Sequence, residues 1–171
     1  MAISRVRVQI NGTWTTLTYN AATGAYEATI TAPSTSSFNR SGGYYPVTVE
    51  ATNTAGTATT VDDKHATLGS SCKLRVRETV KPTLTIVSPT SGARVTSNKQ
   101  PIVFNVVDES NGSGIDIQSV VVFLDDREQN ELTLEKTAIT NGYRYTFIPG
   151  IALDDGEHRF SAQVSDNDGN T

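Results

Sequence analysis

The sequence predicts an all-β chain of two tandem β-sandwich domains with antiparallel sheets and no disulfide. Residues 43–57 and 156–170 align without a gap at a spacing of 113 residues, and a period of about 100 residues is the length of one compact β domain. Apolar and polar residues alternate with period two along much of the chain, and helical periodicity is absent. Cys72 is the single cysteine, so packing alone must hold each sandwich together.

The first domain is predicted over residues 1–79. Val6, Val8 and Ile10 alternate with polar residues and lead into Asn11-Gly12, a strong hairpin signal. The later strands are indicated by further apolar stripes, namely Leu17 with Tyr19, then Tyr26, Ala28 and Ile30, then Tyr45, Val47, Val49 and Ala51. Residues 57–61 and 73–77 are predicted to close the domain.

The second domain is predicted over residues 80–171, after a junction stiffened by Pro82. Its strands are indicated by Leu84 with Ile86, by residues 101–107, and by three later apolar stripes. We expect the first two of these stripes to be equivalent to two stripes of the first domain: Val120, Val122 and Leu124 to Val6, Val8 and Ile10, and Tyr143, Tyr145 and Phe147 to Tyr26, Ala28 and Ile30. Phe160, Ala162 and Val164 form the last stripe.

Neither predicted domain has a full set of strands. The first lacks obvious early strands, and the second stops before a final strand, which would leave its neighbouring strand edge unpaired. Three accounts stay open: a chain that continues as a longer array, a six-stranded variant of the first sandwich, and strand exchange with a partner chain.

Three parts of the chain resemble bacterial immunoglobulin-like repeats, which occur in phage tail and virion proteins and in bacterial surface adhesins. They are residues 82–92, then 107–109 with 113–116 and 119–122, and then 154–156 with 164–170. The resemblance covers about 90 residues of the second domain well and the first more loosely. The paired cysteines and core tryptophan of antibody domains are missing, which indicates the disulfide-free branch. The resemblance implies two immunoglobulin-like domains that act as a structural or adhesive spacer, and it is specific for fold rather than function.

Two residues are predicted to lie at structural corners. In immunoglobulin-like sandwiches, a tyrosine near the start of strand F returns a hydrogen bond to the preceding corner. Tyr45 occupies that place in the first domain, and His158 occupies it 113 residues later.

Charge and segment composition limit the partners. The net charge is −4 and the basic residues are scattered, so we expect no nucleic-acid partner. Membrane insertion is not expected, since no run approaches 18 apolar residues. The residues after Met1 have no signal-peptide pattern, which favours a phage tail or virion component assembled in the cytoplasm. The alternative is a fragment of a bacterial cell-surface adhesin or a carbohydrate-binding module. The expected partners are other repeats of the same array or other structural proteins, and cell-surface glycans are the alternative partners.

No catalytic constellation is expected, and the protein is predicted not to be an enzyme. The two histidines, His65 and His158, lie in a loop and at a corner, without a nucleophile turn nearby. Cys72 has no local basic partner to activate its thiol.

Two hypotheses about cofactors are considered, namely that the protein binds calcium and that it binds no cofactor. Asp108, Asp166 and Asp168 are the candidate ligands, and Glu109, Asp116 and Asp154 could converge with them. Asp, Asn and Gly are also the residues that tight turns use. The matching turn of the first domain, residues 53–56, contains no carboxylate, so that turn does not need a metal to fold. We therefore expect no metal or other cofactor.

Carbohydrate binding rests on exposed aromatic rings. Tyr19, Tyr26 and Tyr45 fall on inward stripes and are predicted to be core residues. Trp14 and Tyr44 remain as candidate ligand-binding residues.

Overall fold

The computed structural model describes residues 2–129 and 134–171. In this part of the chain, all thirteen strands pair antiparallel, and the helical content consists of two short 3-10 turns, Ser41–Gly43 and Gly69–Cys72. The all-β fold class is confirmed. Contacts divide the chain into two compact units, Met1–Arg77 and Glu78–Thr171. The assignment of residues 1–79 and 80–171 to two tandem immunoglobulin-like domains stays a prediction.

The first unit contains one six-stranded sheet. Its strands are β1 (Ile3–Ile10), β2 (Thr13–Asn20), β3 (Ala25–Glu27), β4 (Tyr45–Asn53), β5 (Ala58–Val61) and β6 (Lys73–Leu74). The order is β3-β2-β1-β4-β5, and β6 pairs with the start of β4. Asn11 and Gly12 join β1 to β2 with φ values of 47° and 83°, as the tight hairpin turn requires.

Two expectations for the first unit are wrong. Tyr19 is 55% exposed rather than a core residue, because β2 lies near the edge of the sheet with only the three-residue β3 beyond it. The stripe from Tyr26 to Ile30 is not one strand, since β3 ends at Glu27 and Ala28 is exposed. A proline follows at position 33, and its ring removes a backbone donor.

The second unit is built from two sheets. Its strands are β7 (Thr83–Ser88), β8 (Ile102–Val107), β9 (Val121–Leu124), β10 (Arg127–Glu128), β11 (Leu134–Ile139), β12 (Gly142–Phe147) and β13 (Phe160–Gln163). One sheet has the order β10-β9-β13 and the other has β11-β12-β8-β7. Because β12 lies in the second of these sheets while β3 pairs with β2, the expected equivalence of the Tyr143 stripe with the Tyr26 stripe is also wrong.

Alternating side chains of both sheets form one hydrophobic core in the second unit. Phe104 of β8 and Phe147 of β12 both contact Phe160 of β13, with ring centroids 5.6 and 6.0 Å apart. Val106 and Val122 are fully buried beside them. These contacts across the sheets make the second unit a β-sandwich, consistent with an immunoglobulin-like fold.

The sequence repeat corresponds to a repeated strand pair. In the first unit, β1 pairs with β4 and places Val8 opposite Val49. In the second unit, β9 pairs with β13 and places Val122 opposite Ala162. Both pairs also carry a hairpin partner on the other side, β2 or β10. The expected equivalence of the Val6 and Val120 stripes therefore agrees with the strand pairing.

The turn after each repeated strand has the same hydrogen bonds. The Oδ1 atom of Asn53 accepts from the backbone amides two and four residues later, at 2.9 and 3.0 Å. The Oδ1 atom of Asp166, 113 positions further along, accepts from its own amides two and four residues later, both at 2.9 Å. One side-chain oxygen therefore organises each turn, whether it belongs to an amide or to a carboxylate.

Replacement of two buried tyrosines by phenylalanine is expected to change the free energy of unfolding differently. Tyr45 is 1% exposed and its hydroxyl donates to the Thr35 carbonyl at 3.0 Å, so Tyr45→Phe should lower the free energy of unfolding by about 1 kcal/mol. Tyr145 is equally buried, but its hydroxyl has no partner among the described residues. Tyr145→Phe should therefore leave stability unchanged or raise it.

Denaturant titration of the two variants tests this pair. Trp14 is the only tryptophan and lies in the first unit, so its fluorescence follows the unit that carries Tyr45. Circular dichroism follows the whole chain. Equal losses in both variants would contradict the assigned difference in hydrogen bonding.

Candidate functional site

Three acidic side chains meet at one end of the second unit. Glu78, Asp108 and Glu109, here called the acidic cluster, each contribute one carboxylate oxygen, and these oxygens lie within 4.8 Å of one another. Antiparallel pairing of Thr83 with Val107 places the residues before β7 beside those after β8. The strand register therefore brings Glu78 to Asp108, although 30 positions separate them in the sequence.

Asp108 is the most enclosed member of the acidic cluster. Its side chain is 3% exposed, and its Oδ2 atom accepts a hydrogen bond of 2.6 Å from the Gly114 amide. Its Oδ1 atom is buried and has no hydrogen-bond partner among the described residues, and the same holds for Oε2 of Glu109. Buried polar atoms usually have a partner, so two unpaired oxygens in one cluster are unusual.

Glycine at position 112 leaves room for these carboxylates. A Cβ atom at Gly112 would lie against Oδ2 of Asp108 and only 2.9 Å from the carboxyl carbon of Glu109. Any larger residue would therefore displace the acidic cluster.

Hydrogen bonds connect Glu78 to the turn that follows β13. The Glu78 amide donates to Oδ2 of Asp168 at 3.1 Å, and the side chain of Asn170 donates to the Glu78 carbonyl at 3.2 Å. The Oε2 atom of Glu78 accepts from the Val80 amide at 2.6 Å, and Oε1 accepts from the Ser113 hydroxyl at 3.4 Å. The loops around β7, β8 and β13 thus converge on one site.

Burial and like charge make full ionisation of this region unfavourable. Burial, followed by a hydrogen bond to Asp166, raises the pKa of Glu78 to about 7. Burial raises the pKa of Glu109, and the neighbouring carboxylate of Asp108 raises it further. Burial also acts to raise the pKa of Asp166, but hydrogen bonds from Glu78 and Asn170 outweigh it and the pKa is lowered. None of the ion pairs in the described ranges includes a member of the acidic cluster.

The structure gives the three candidate metal ligands from the sequence different surroundings. Asp108 lies in the acidic cluster with Glu109. Asp166 accepts hydrogen bonds within its own turn and also lies beside the Glu78 carboxyl group, and Asp168 accepts from the Glu78 amide. Glu78 was missed, because in the sequence it stands in the junction between domains and only the β7–β8 register brings it to Asp108.

Asp116 and Asp154 do not join the acidic cluster. Oδ1 of Asp116 accepts from the Gln118 amide within its own turn. The Asp154 carbonyl lies 2.9 Å from Nε2 of His158.

The two corner residues both contact an upstream backbone carbonyl. Tyr45 donates to Thr35, as described above, and His158 places Nε2 beside the Asp154 carbonyl and Nδ1 2.8 Å from Oδ2 of Asp125. Their assignment as equivalent structural corners stays a prediction, although each makes a hydrogen bond of the type expected at such a corner.

The two candidate carbohydrate-binding rings each carry a cation on one face. Trp14 is 37% exposed, and the Arg7 guanidinium lies 4.1 Å from its ring centroid. Tyr44 is half-buried, with the Lys73 ammonium 4.8 Å from its ring and its hydroxyl donating to Asp63. A sugar could stack only on the opposite faces of these rings. Exposed Tyr19, whose ring lies 5.3 Å from that of Tyr26, adds an aromatic surface that the sequence placed in the core.

The residues considered for catalysis have structural surroundings. Nδ1 of His65 lies within hydrogen-bond distance of the backbone amides of Thr67 and Leu68. Cys72 is 5% exposed, at the end of a 3-10 turn. A groove in the first unit is lined by aliphatic and uncharged polar side chains, namely Val8, Ile10, Asn11, Thr13, Thr15, Thr29, Ile30, Thr31 and Pro33. These surroundings give an acid–base mechanism no support.

Comparison with known proteins finds a family model that is similar to part of the chain. Residues 82–162 match the family model described as a bacterial Ig domain. No curated protein matches the sequence. Bacterial Ig domains are typically non-catalytic structural or adhesive modules, and they are often extracellular or exposed at a surface. Within the described ranges, no helix has the length and apolar character needed to cross a membrane.

The turn after β13 is expected to tolerate an amide in place of its carboxylate. Asp166→Asn keeps an oxygen that can accept from the two turn amides, as Asn53 does in the first unit. Asp166→Ala removes that oxygen and should cost roughly 1–3 kcal/mol, with a smaller loss in Asp166→Asn. Chemical denaturation of both variants measures the difference, and Asn53→Ala is the matched change in the first unit. Equal losses in the two Asp166 variants would show that the carboxylate has another structural role.

The contribution of His158 to stability is expected to fall as the pH rises. Hydrogen bonds to the Asp154 carbonyl and then to the Asp125 carboxylate raise the pKa of His158 in the folded chain. The stabilisation is therefore present below the unfolded pKa of about 6.5 and is lost as the pH passes through the raised folded pKa. The melting-temperature difference between the unmodified chain and His158→Gln should shrink as the pH rises from below to well above the unfolded pKa of about 6.5. A constant difference across this range would contradict the expected linkage.

Proposed function

We propose that the chain is a non-catalytic structural and adhesive segment of a phage tail or virion surface protein, because residues 82–162 match the bacterial Ig domain family. In this proposal, the domains act as spacers that hold a receptor-binding or surface-binding element away from the particle. Their partners are other repeats of the same array and neighbouring structural proteins.

The repeated strand pair is the observation that carries this proposal. The pairs β1–β4 and β9–β13 are followed, after β4 and after β13, by turns with the same hydrogen bonds, and this supports the view that the chain uses one strand-and-turn motif twice. Repeated β domains in series give length without new chemistry, which is what a spacer requires.

The way the sandwich is stabilised supports assembly in a reducing compartment. Fully buried Phe104, Val106 and Val122 pack the second unit from both of its sheets. The single cysteine, Cys72, is buried in the first unit. A domain that depends on packing rather than disulfides can fold in the cytoplasm, where phage particles are assembled.

A bacterial cell-surface adhesin or carbohydrate-binding module is the second candidate. The exposed Tyr19 ring and its neighbour Tyr26 favour it, because flat aromatic surfaces stack against sugar rings. Cell-surface glycans are the ligands that this arrangement would recognise.

Immunogold labelling distinguishes the two settings. Antibody raised against the purified chain is applied to purified phage particles and to intact cells of the source strain, with antigen-adsorbed antibody as the control. Label on the tail or capsid of particles is expected. Label confined to the bacterial surface would overturn the virion assignment.

A glycan array with the purified chain tests the second candidate separately. Binding that is lost in Tyr19→Ala and retained in Thr18→Ala, its neighbour on β2, would favour the carbohydrate-binding alternative over a plain spacer. Absence of glycan binding in both variants and in the unmodified chain is the result that the proposed spacer role predicts.

A further inference from the structure

We propose that the acidic cluster of Glu78, Asp108 and Glu109 binds one Ca²⁺ ion and thereby stabilises one end of the second unit. This inference is independent of the proposed virion function, since it concerns the chemistry of three side chains only. Two observations carry it. The ligand oxygens lie within 4.8 Å of one another, and Asp108, 3% exposed, has an oxygen without a partner among the described residues.

A cation resolves the unfavourable electrostatics of the acidic cluster. Carboxylates that share a site repel each other, and a buried one also loses its hydration. Neighbouring backbone groups satisfy one oxygen of Asp108 through the Gly114 amide but leave Oδ1 unpaired, together with Oε2 of Glu109. The ion pairs of the described residues bring no lysine, arginine or histidine to these groups. A bound cation would supply the missing partner to both oxygens at once.

The ligand chemistry favours Ca²⁺ over other common metal ions. Ca²⁺ takes oxygen ligands at about 2.3–2.6 Å, so oxygens on opposite sides of the ion are about 4.6–5.2 Å apart. Mg²⁺ requires about 2.0–2.1 Å, which brings opposite oxygens within about 4.2 Å. Mg²⁺ also gives up its water reluctantly and usually keeps several water ligands, whereas Ca²⁺ accepts several protein oxygens in a flexible geometry. Zn²⁺ sites use histidine or cysteine, and the acidic cluster contains neither.

The surroundings of the acidic cluster are held in place before any ion binds. Gly112 provides the space that the carboxylates of Asp108 and Glu109 occupy. Glu78 is fixed through its backbone by Asp168 and Asn170, which follow β13, and through its side chain by the Val80 amide. Binding therefore links the start of β7 and the end of β8 to the exit of β13. An ion that binds only the folded state adds stability as its concentration rises above its dissociation constant.

The test uses the purified full chain after dialysis against chelator. Isothermal titration calorimetry with CaCl₂ is expected to show one site per chain, and MgCl₂ at the same concentrations is expected to bind at least tenfold more weakly. Scanning calorimetry should show a melting temperature roughly 5–10 °C higher at saturating Ca²⁺. Absence of binding heat together with an unmoved melting curve in millimolar Ca²⁺ would overturn the proposal.

Two variants localise the effect, and each replaces a carboxylate by the amide of the same shape. Glu109→Gln and Asp108→Asn should bind Ca²⁺ at least tenfold more weakly. Glu135→Gln, an exposed position on β11 of the same unit, is the matched control and should keep the full response. Without calcium, Glu109→Gln should melt at the same or a higher temperature than the unmodified chain, because the change removes a repulsive charge.

These variants distinguish direct binding of Ca²⁺ by Asp108 and Glu109 from a purely structural role of the two side chains. If Asp108→Asn fails to fold, Glu109→Gln still decides the question, and circular dichroism establishes that each variant is folded. A calcium response unchanged in folded Glu109→Gln, or lost equally in Glu135→Gln, would place the ion elsewhere and refute the assignment.

Discussion

In each unit, the strand that carries the sequence repeat pairs antiparallel with one central strand, and the rest of the structure depends on this pairing. The pairs β1–β4 and β9–β13 set which side chains point inward, as Val8 with Val49 and Val122 with Ala162 illustrate. A slip of one residue would turn every inward side chain outward. In both units this register is followed by the same kind of turn, in which one side-chain oxygen accepts hydrogen bonds from two backbone amides.

The register of a second strand pair, β7 with β8, determines where the acidic cluster lies. Pairing of β7 with β8 brings the segment before one strand to the segment after the other, so that Glu78 reaches Asp108 and Glu109. The hydrophobic core of the second unit offsets the cost of this arrangement, since Phe104 and Val106 lie on β8 just before the acidic residues. Such a site can therefore persist in a sandwich that its core already stabilises.

The parts of the fold that depend on local pattern could be predicted from the sequence. The stripe of Val6 and Val8, the turn at Asn11-Gly12 and the strand that starts at Tyr45 all follow from residues adjacent in the chain. Tyr19 could not be placed in this way, because its exposure depends on how many strands lie beyond β2. Glu78 was missed for a related reason, since its neighbours come from strand pairing across 30 positions.

The different surroundings of Asp166 and Asp108 explain why composition alone could not decide the calcium question. Both carboxylates are almost completely buried. Asp166 accepts three hydrogen bonds within its turn, and an asparagine performs the same backbone function in the first unit. The sequence argument against a metal-dependent turn therefore concerns Asp166 and does not extend to Asp108. One oxygen of Asp108 is occupied by a backbone amide, and the other faces like charge without a donor. An unpaired oxygen, rather than a count of acidic residues, is what identifies a position where a cation would lower the free energy of the folded state.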